Sequence, residues 1–321
     1  MHIPLPLRTL IKQPGKQRGA ALLIALAITV LAAVLAISAI ETGQLDMRKS
    51  SILIRSGQAQ QLAMGMEDWA ISLIQRDQNN SSGAAYDGLE DIWYQQLPLT
   101  QVSGGTISGT LVDLDGRFNL NSLLDIDGAV NPLALERFRR LLVVLQLNPS
   151  IADQLLDWLD ADTSPQPQGA EDNIYRNRQP PGLAANQLLS HISELRILPA
   201  MDTANWQRLK NHVNANPQRS GGININTATA EVLLSLADGI NRQMINSVIR
   251  QRGGGFRSLS AFLQLQVFEN INIDPRGLTI RSYNYRALAE IQMDGEISHF
   301  ETLLQRSGSV YHVLHRRRII Q

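Results

Sequence analysis

From Ala20 to Ile40 the chain runs 21 residues without a charge, and only Thr29 and Ser38 in that run are polar. As a helix rising 1.5 Å per residue, such a run spans about 30 Å, the thickness of a bilayer's hydrocarbon core. It is longer than the apolar region of a typical cleaved secretory signal. Arg8, Lys12, Lys16 and Arg18 precede it, and the first acid of the chain is Glu41. That asymmetry holds the N-terminus in the cytoplasm and sends the remainder outward. Hydropathy alone therefore specifies a single-span anchor.

The residues beyond the run narrow this. Leu45, Ile52, Ala59, Met66 and Leu73 recur every seven positions, with Leu62 and Trp69 forming a second row beside them. This is a helical stripe with polar residues between. Only Gly43, Gly57 and Gly65 interrupt it, and no proline occurs until Pro98. The spacing predicts one long helix from about Ala20 to Arg76, membrane-soluble in its first half and packed on a domain in its second.

A short basic leader ending in Gly19, followed by an apolar helix that continues as an amphipathic one, resembles a type IV prepilin. In that family a prepilin peptidase cuts after the glycine and the new N-terminus is methylated. The resemblance puts cleavage between Gly19 and Ala20 and the modification on Ala20. Most pilins carry Glu at the fifth mature position, where this chain has Ile24. A buried carboxylate without a cation is costly, so a subunit with no neighbour to pair with should lose it. In this respect the chain resembles the K-type minor pseudopilins of type II secretion systems, which are proposed to sit at the pseudopilus tip.

The organisation beyond the helix is similar to that family over essentially the whole chain. The stretch "GGTISGTLVDLDGRFNLN" alternates at Ile107, Thr110, Leu111 and Val112 and predicts a strand closed by a turn at Asp115-Gly116. From about Asn121 to Asn270 the pattern is mainly helical: "NPLALERFRRLLVVLQL", "PSIADQLLDWLDAD", "NWQRLKNHV" and "TATAEVLLSLADG" each read as a helix. The last forty or so residues alternate again, with turns at Asp294-Gly295 and Ser307-Gly308, and predict an antiparallel meander. The fold expected is α+β. A long N-terminal helix packs on an antiparallel sheet, and a large all-α domain is inserted between strands. The segments are a leader (1–19), a membrane part (20–40), the first part of the core (41–120), the inserted α-domain (121–275) and the C-terminal strands (276–321).

One stretch of the helical block gathers acids: in "DWLDADTSPQPQGAEDNIY" they are Asp157, Asp160, Asp162, Glu171 and Asp172. Counted from Asp160, oxygens fall at the first, third, fifth and twelfth steps (Asp160, Asp162, Ser164, Glu171), as in an EF-hand calcium loop. The sixth step is Pro165 where that loop needs glycine, so the stretch is not an EF-hand. Like charges this close repel unless a cation sits among them. The alternative is a solvated acidic loop. The family resemblance implies structural calcium here, held by Glu171 and Asp172 first, then Asp160 and Asp162, with Asn186 and the backbone carbonyl of Tyr175 after them. Without cysteine, and with no paired histidines near the loop, the stretch does not suit zinc.

A second stretch, "NINTATAEVLLSLADGINRQMINSVIRQRGGGF", resembles the helix-hairpin-helix units of DNA-binding proteins. A hairpin at Asp238-Gly239-Ile240-Asn241 is flanked by Arg250, Arg252 and Arg257. Asp238 sits in the hairpin and lysine plus arginine balance aspartate plus glutamate at 29 each, which argues against nucleic acid. The histidines are scattered. His312 and His315, three apart on an expected strand, should point to opposite faces. No G-x-S-x-G or Walker loop occurs, and the chain reads as non-enzymatic.

The expected protein is a prepilin-peptidase-processed minor pseudopilin. It is anchored once in the bacterial inner membrane, with its N-terminus cytoplasmic and its C-terminal domain periplasmic. Its expected partners are I-type and J-type minor pseudopilins and the major pseudopilin through the N-terminal helix, then the prepilin peptidase, the secretin and exoproteins. The alternatives are a tip-type minor pilin of a type IV pilus and a membrane-tethered DNA receptor. Mass spectrometry of membrane-extracted protein should find an N-methylated Ala20 at the amino end. An intact leader in cells with active peptidase removes the prepilin reading.

Overall fold

The structure is a computed structural model that describes residues 18–79, 85–94, 96–218 and 221–319. Most of the expected leader, residues 1–17, lies outside the described residues. The elements in chain order are α1 (Arg18–Gln78), β1 (Leu97–Val102), β2 (Gly105–Asp113), β3 (Phe118–Asn119), α2 (Pro132–Val144), α3 (Ser150–Leu159), α4 (Asp172–Arg176), α5 (Thr203–Leu209), β4 (Val213–Asn214), β5 (Ile223–Asn224), α6 (Ala230–Leu234), α7 (Arg242–Arg252), α8 (Leu259–Leu263), β6 (Leu278–Thr279), β7 (Asn284–Met293), β8 (Glu296–Ser307) and β9 (Val310–Ile319). The fold is α+β, with the expected long apolar helix and antiparallel sheet. The chain divides into two units, residues 1–60 and 61–321.

The first unit contains most of α1. Helix α1 is the one helix among the described residues that is long and apolar enough to cross a membrane. Its apolar side chains lie open, with Leu22 72% and Ile24 61% exposed.

In the second unit the five-stranded sheet runs β1-β2-β7-β8-β9, every neighbour antiparallel. Side chains alternate across a strand, so one face of β2 buries Ile107, Gly109, Leu111 and Asp113. Thr110 and Val112, which the sequence pattern grouped with Leu111, point to the other face. The inner face packs on the last turns of α1: Ala70 and Ile74 join Trp93, Leu111, Tyr285, Ala287 and Leu304 in one cluster. Trp93 meets Tyr285 edge to face at 5.3 Å. Gly109 is required here, because a Cβ would stand 2.1 Å from the Met66 methyl and 2.5 Å from the Leu288 carbonyl oxygen. Arg316 of β9 donates to both oxygens of Glu67 at 2.7 Å, a bidentate pair joining the outer strand to α1. On the same side Arg306 and Asp87 pair at 3.4–3.5 Å, both fully sequestered from solvent at 3% and 0% side-chain exposure.

The hairpin β7–β8 turns on Asp294 and Gly295, both at positive φ, the conformation that two-residue loops matched to strand twist require. The next hairpin turns one residue later than the sequence suggested, on Gly308-Ser309, because Ser307 still pairs with Val310. Both outermost strands carry a register shift: β1 between Leu97 and Thr100, and β9 opposite Leu303 and Leu304. The shift in β9 overturns one expectation. His312 pairs with Gln305 and His315 with Leu303, two positions apart on β8, so the two histidines share a face.

Everything from residue 114 to 283 leaves the sheet after β2 and returns at β7. It has its own core, in which Phe118 stacks on Phe138 at 5.4 Å beside Leu141, Ile151, Leu155, Val232 and Phe262. Helix α2 starts where Asn131 caps Ala134 N–H at 3.0 Å and Pro132 takes the first helical position. Helix α5 is shorter than "NWQRLKNHV" suggested. It stops at Leu209, and Val213 instead pairs in parallel with Phe118. Helix α6 likewise ends at Leu234. Strand β1 had no expectation, since its residues are largely exposed and leave no alternating signature.

Replacing Arg306 with methionine leaves Asp87 buried without its cation. The expected cost is on the order of 3–5 kcal/mol of unfolding free energy, read from denaturant titration.

Candidate metal centre

The acidic stretch folds as the end of one helix, a loop, and the start of the next. Asp157 lies in α3 with no exposure, and Asp160 caps that helix at 8% exposure. Asp162 is exposed in the loop, and Glu171 precedes α4 at 5% exposure without capping it. Oxygens of Asp160, Asp162 and Glu171 all lie within 4.8 Å of one another.

Several of these oxygens have nothing to bond to. Asp157 Oδ2, Asp160 Oδ1 and both Glu171 carboxylate oxygens are buried without a hydrogen-bond partner, as is Asn186 Oδ1. Asn186 holds a positive φ of 48°, an uncommon conformation for a side-chain-bearing residue. The far oxygen of Asp157 is engaged, accepting from Gln166 N–H at 2.9 Å. Gly169 lies over Asp157, where a Cβ would come 1.8 Å from Oδ2. Trp158 packs edge to face on Tyr175 at 5.1 Å beneath the loop. Among the described residues no ion pair reaches Asp157, Asp160, Asp162 or Glu171. Burial, followed by the charges of Asp162, Asp157 and Glu171, pushes Asp160 up to about 6. Burial also raises Asp157 and Glu171. Buried carboxylates left unpaired cost several kcal/mol, so this all-oxygen set fits a hard cation, which takes six to eight oxygens.

The structure thus gathers Asp160, Asp162 and Glu171 and leaves the Asn186 carbonyl oxygen free for the same role. It does not bring Asp172 into the group. That carboxylate accepts from Ala184 N–H at 3.0 Å through one oxygen and from Arg176 at 2.8 Å through the other. The Tyr175 carbonyl accepts from Arg178 and Gly182 N–H at 3.2 and 3.1 Å. Asp157 is the residue that sequence reasoning counted among the acids but left out of the ligand set. Its spacing of three from Asp160 on a helical pattern was the available signal.

At the hairpin of residues 238–241 an acid and one of the flanking arginines are engaged within the chain. Arg140 donates to both oxygens of Asp238, at 2.7 and 2.9 Å, and Arg252 turns inward to the Ala228 carbonyl at 2.9 Å.

Comparison with known proteins bears on the chain as a whole. A family model described as "Type II secretion system (T2SS), protein K" matches residues 116–218, and a second model of the same description matches 223–281. The type II secretion system protein K of Klebsiella pneumoniae is 32% identical over 317 residues, covering 94% of this chain and 96% of that protein. Its counterpart in Pseudomonas aeruginosa is 34% identical over 256 residues, covering 77% and 76%. A chain of the GspK-GspI-GspJ complex from the type 2 secretion system of enterotoxigenic Escherichia coli superposes with a TM-score of 0.76 at 26% identity. That match covers 85% of this chain and all of the other.

Burial of Asp160 fixes the sign of a pH effect. The unfolded carboxyl ionises near 3.8 and the folded one near 6, so between those values the native state holds more protons. With a chelator present, thermal stability should fall as pH rises from about 4 to about 6. A divalent cation should reverse that slope, as melts of the full chain at stepped pH will show.

Proposed function

The chain belongs to the type II secretion system protein K family, and from that premise we propose that it works at the tip of the pseudopilus as a minor pseudopilin. It promotes assembly there and so assists export of folded proteins across the outer membrane. The observation that carries this reading is the state of α1: its apolar half is open along its length, and Ile24 stands where an acid would need a neighbour's amine. Such a helix fits a bilayer before assembly and sister helices afterwards. The natural partners are I-type and J-type minor pseudopilins, since the similar solved chain is found in a complex with GspI and GspJ. The major pseudopilin would meet the same helix, and the secretin and exoproteins lie beyond. Cleavage after Gly19, methylation of Ala20, a cytoplasmic N-terminus and a periplasmic C-terminal domain complete the reading. The work is assembly and recognition rather than bond chemistry.

Calcium is part of the proposal. Asp157, Asp160, Asp162 and Glu171 would hold it, with Asn186 beside them, while Asp172 tethers the loop through Ala184 and Arg176. The ion would supply the positive charge that this group lacks and would couple folding of the 160–171 loop to binding.

Deleting the gene should strand folded exoproteins in the periplasm while pilus-dependent functions persist. Loss of a pilus function instead would favour the type IV minor-pilin alternative, and salt-dependent DNA binding by the purified chain would favour the receptor. The Asp238–Arg140 pair weighs against the receptor.

A further inference from the structure

Away from the loop just described, a second set of acids closes the end of α1. Oxygens of Asp77, Asp87 and Asp91 lie within 4.8 Å of one another. Asp77 is 4% exposed on the last turn of α1, and its Oδ2 is buried with no hydrogen-bond partner. Asp87 is fully buried and accepts Ser282 N–H at 2.7 Å. Asp91 accepts Gly88 N–H at 2.6 Å and the Trp93 indole N–H at 3.1 Å through one oxygen, Oδ2.

The charges do not balance. Arg306 pairs with Asp87, and the charge of Arg281 also reaches that residue. Among the described residues, Asp77 and Asp91 make no ion pair. Burial, and then the charge of Asp91, pushes Asp77 up to about 6. The same orphaned-oxygen signature marks the 157–171 loop, but here it arises from different elements. The group joins the C-terminal turn of α1 to the segment before β1 and, through Ser282 and Arg306, to the sheet.

We propose that Asp77, Asp87 and Asp91 form a second site for a hard divalent cation, independent of the one in the 157–171 loop. The donors are carboxylate oxygens from two chain segments, a set suited to calcium, magnesium or manganese and not to softer metals. The ion answers the two acids that no arginine among the described residues pairs with. It also pins the end of the helix to the sheet, next to the buried Trp93.

The test is calcium content per chain, by equilibrium dialysis of the full chain in detergent micelles. Four forms are compared: the parent, Asp77→Asn, Glu171→Gln and the double variant. Asp77→Asn preserves shape and removes the charge, and it should lower the count by roughly one ion per chain in both backgrounds. Terbium gives a second readout, because the Trp93 indole touches a ligand carboxylate. In the Glu171→Gln background, terbium emission excited through tryptophan should be present and should vanish on adding Asp77→Asn. Asp91→Asn should behave as Asp77→Asn does and serves if the latter folds poorly by circular dichroism. An ion count unchanged by both asparagine variants overturns the proposal and leaves the group holding a proton instead. If only the loop reading fails, Glu171→Gln changes nothing while Asp77→Asn still removes an ion.

Discussion

Two buried aspartates hold the place where the long excursion from 114 to 283 leaves the sheet and comes back. Asp113 ends β2 and receives the hydroxyls of Thr227 and Ser282, the latter at 2.7 Å. Asp115 receives the Tyr283 and Asn284 N–H groups at 2.6 and 3.1 Å, and the side-chain amides of Asn284 and Asn216 at 2.9 and 3.2 Å. The two chain ends are neighbours, since Asp113 pairs with Tyr285 across the ladder. A closed loop of that length costs entropy that grows only slowly with its size. A few strong, charge-assisted bonds at its neck therefore suffice to fasten a whole second core to the sheet. Asn214 and Asn224 extend the fastening, donating to the Leu114 carbonyl at 2.6 Å and the Asp87 carbonyl at 3.2 Å.

Fastening of that kind is what the sequence shows least. The helix at 18–78 was legible because 61 residues without proline, apolar first and striped afterwards, leave little alternative. The terminal meander was legible because Asp294-Gly295 and Gly308 force tight reversals between alternating runs. The asparagines at 119, 121, 214, 216, 224 and 226 look like loop residues in sequence and prove to be buried hydrogen-bonding hubs. Nothing local distinguishes the two cases, because their partners lie up to 137 residues away. Strand β1 escaped for the opposite reason: it packs on one side only through its neighbour and carries no buried row.

The candidate site divides along the same line. Asp160, Asp162 and Glu171 could be suspected from acid density. Asp172 belongs to the same run and is drawn off by an arginine one helical turn away and by a backbone amide that only the folded loop presents. Asp157 stands on a helix that any periodicity argument assigns to the core, and its orphaned Oδ2 shows only once the loop descends on it at Gly169. Asp77, Asp87 and Asp91 are spread over a helix end and a turn, and no spacing rule connects them. Orphaned buried oxygens, rather than acid counts, are what separate these groups from an ordinary charged surface.

Both rims of the sheet are irregular. On one side Pro98 removes a backbone donor and the register slips beside it; on the other an extra residue kinks the final strand. Unpaired ladders invite another chain to add a strand, and kinks and proline are the means by which proteins refuse it. A sheet irregular at both edges thus resists being lengthened edge to edge by another chain's strand, and any association of this chain is left to its other surfaces.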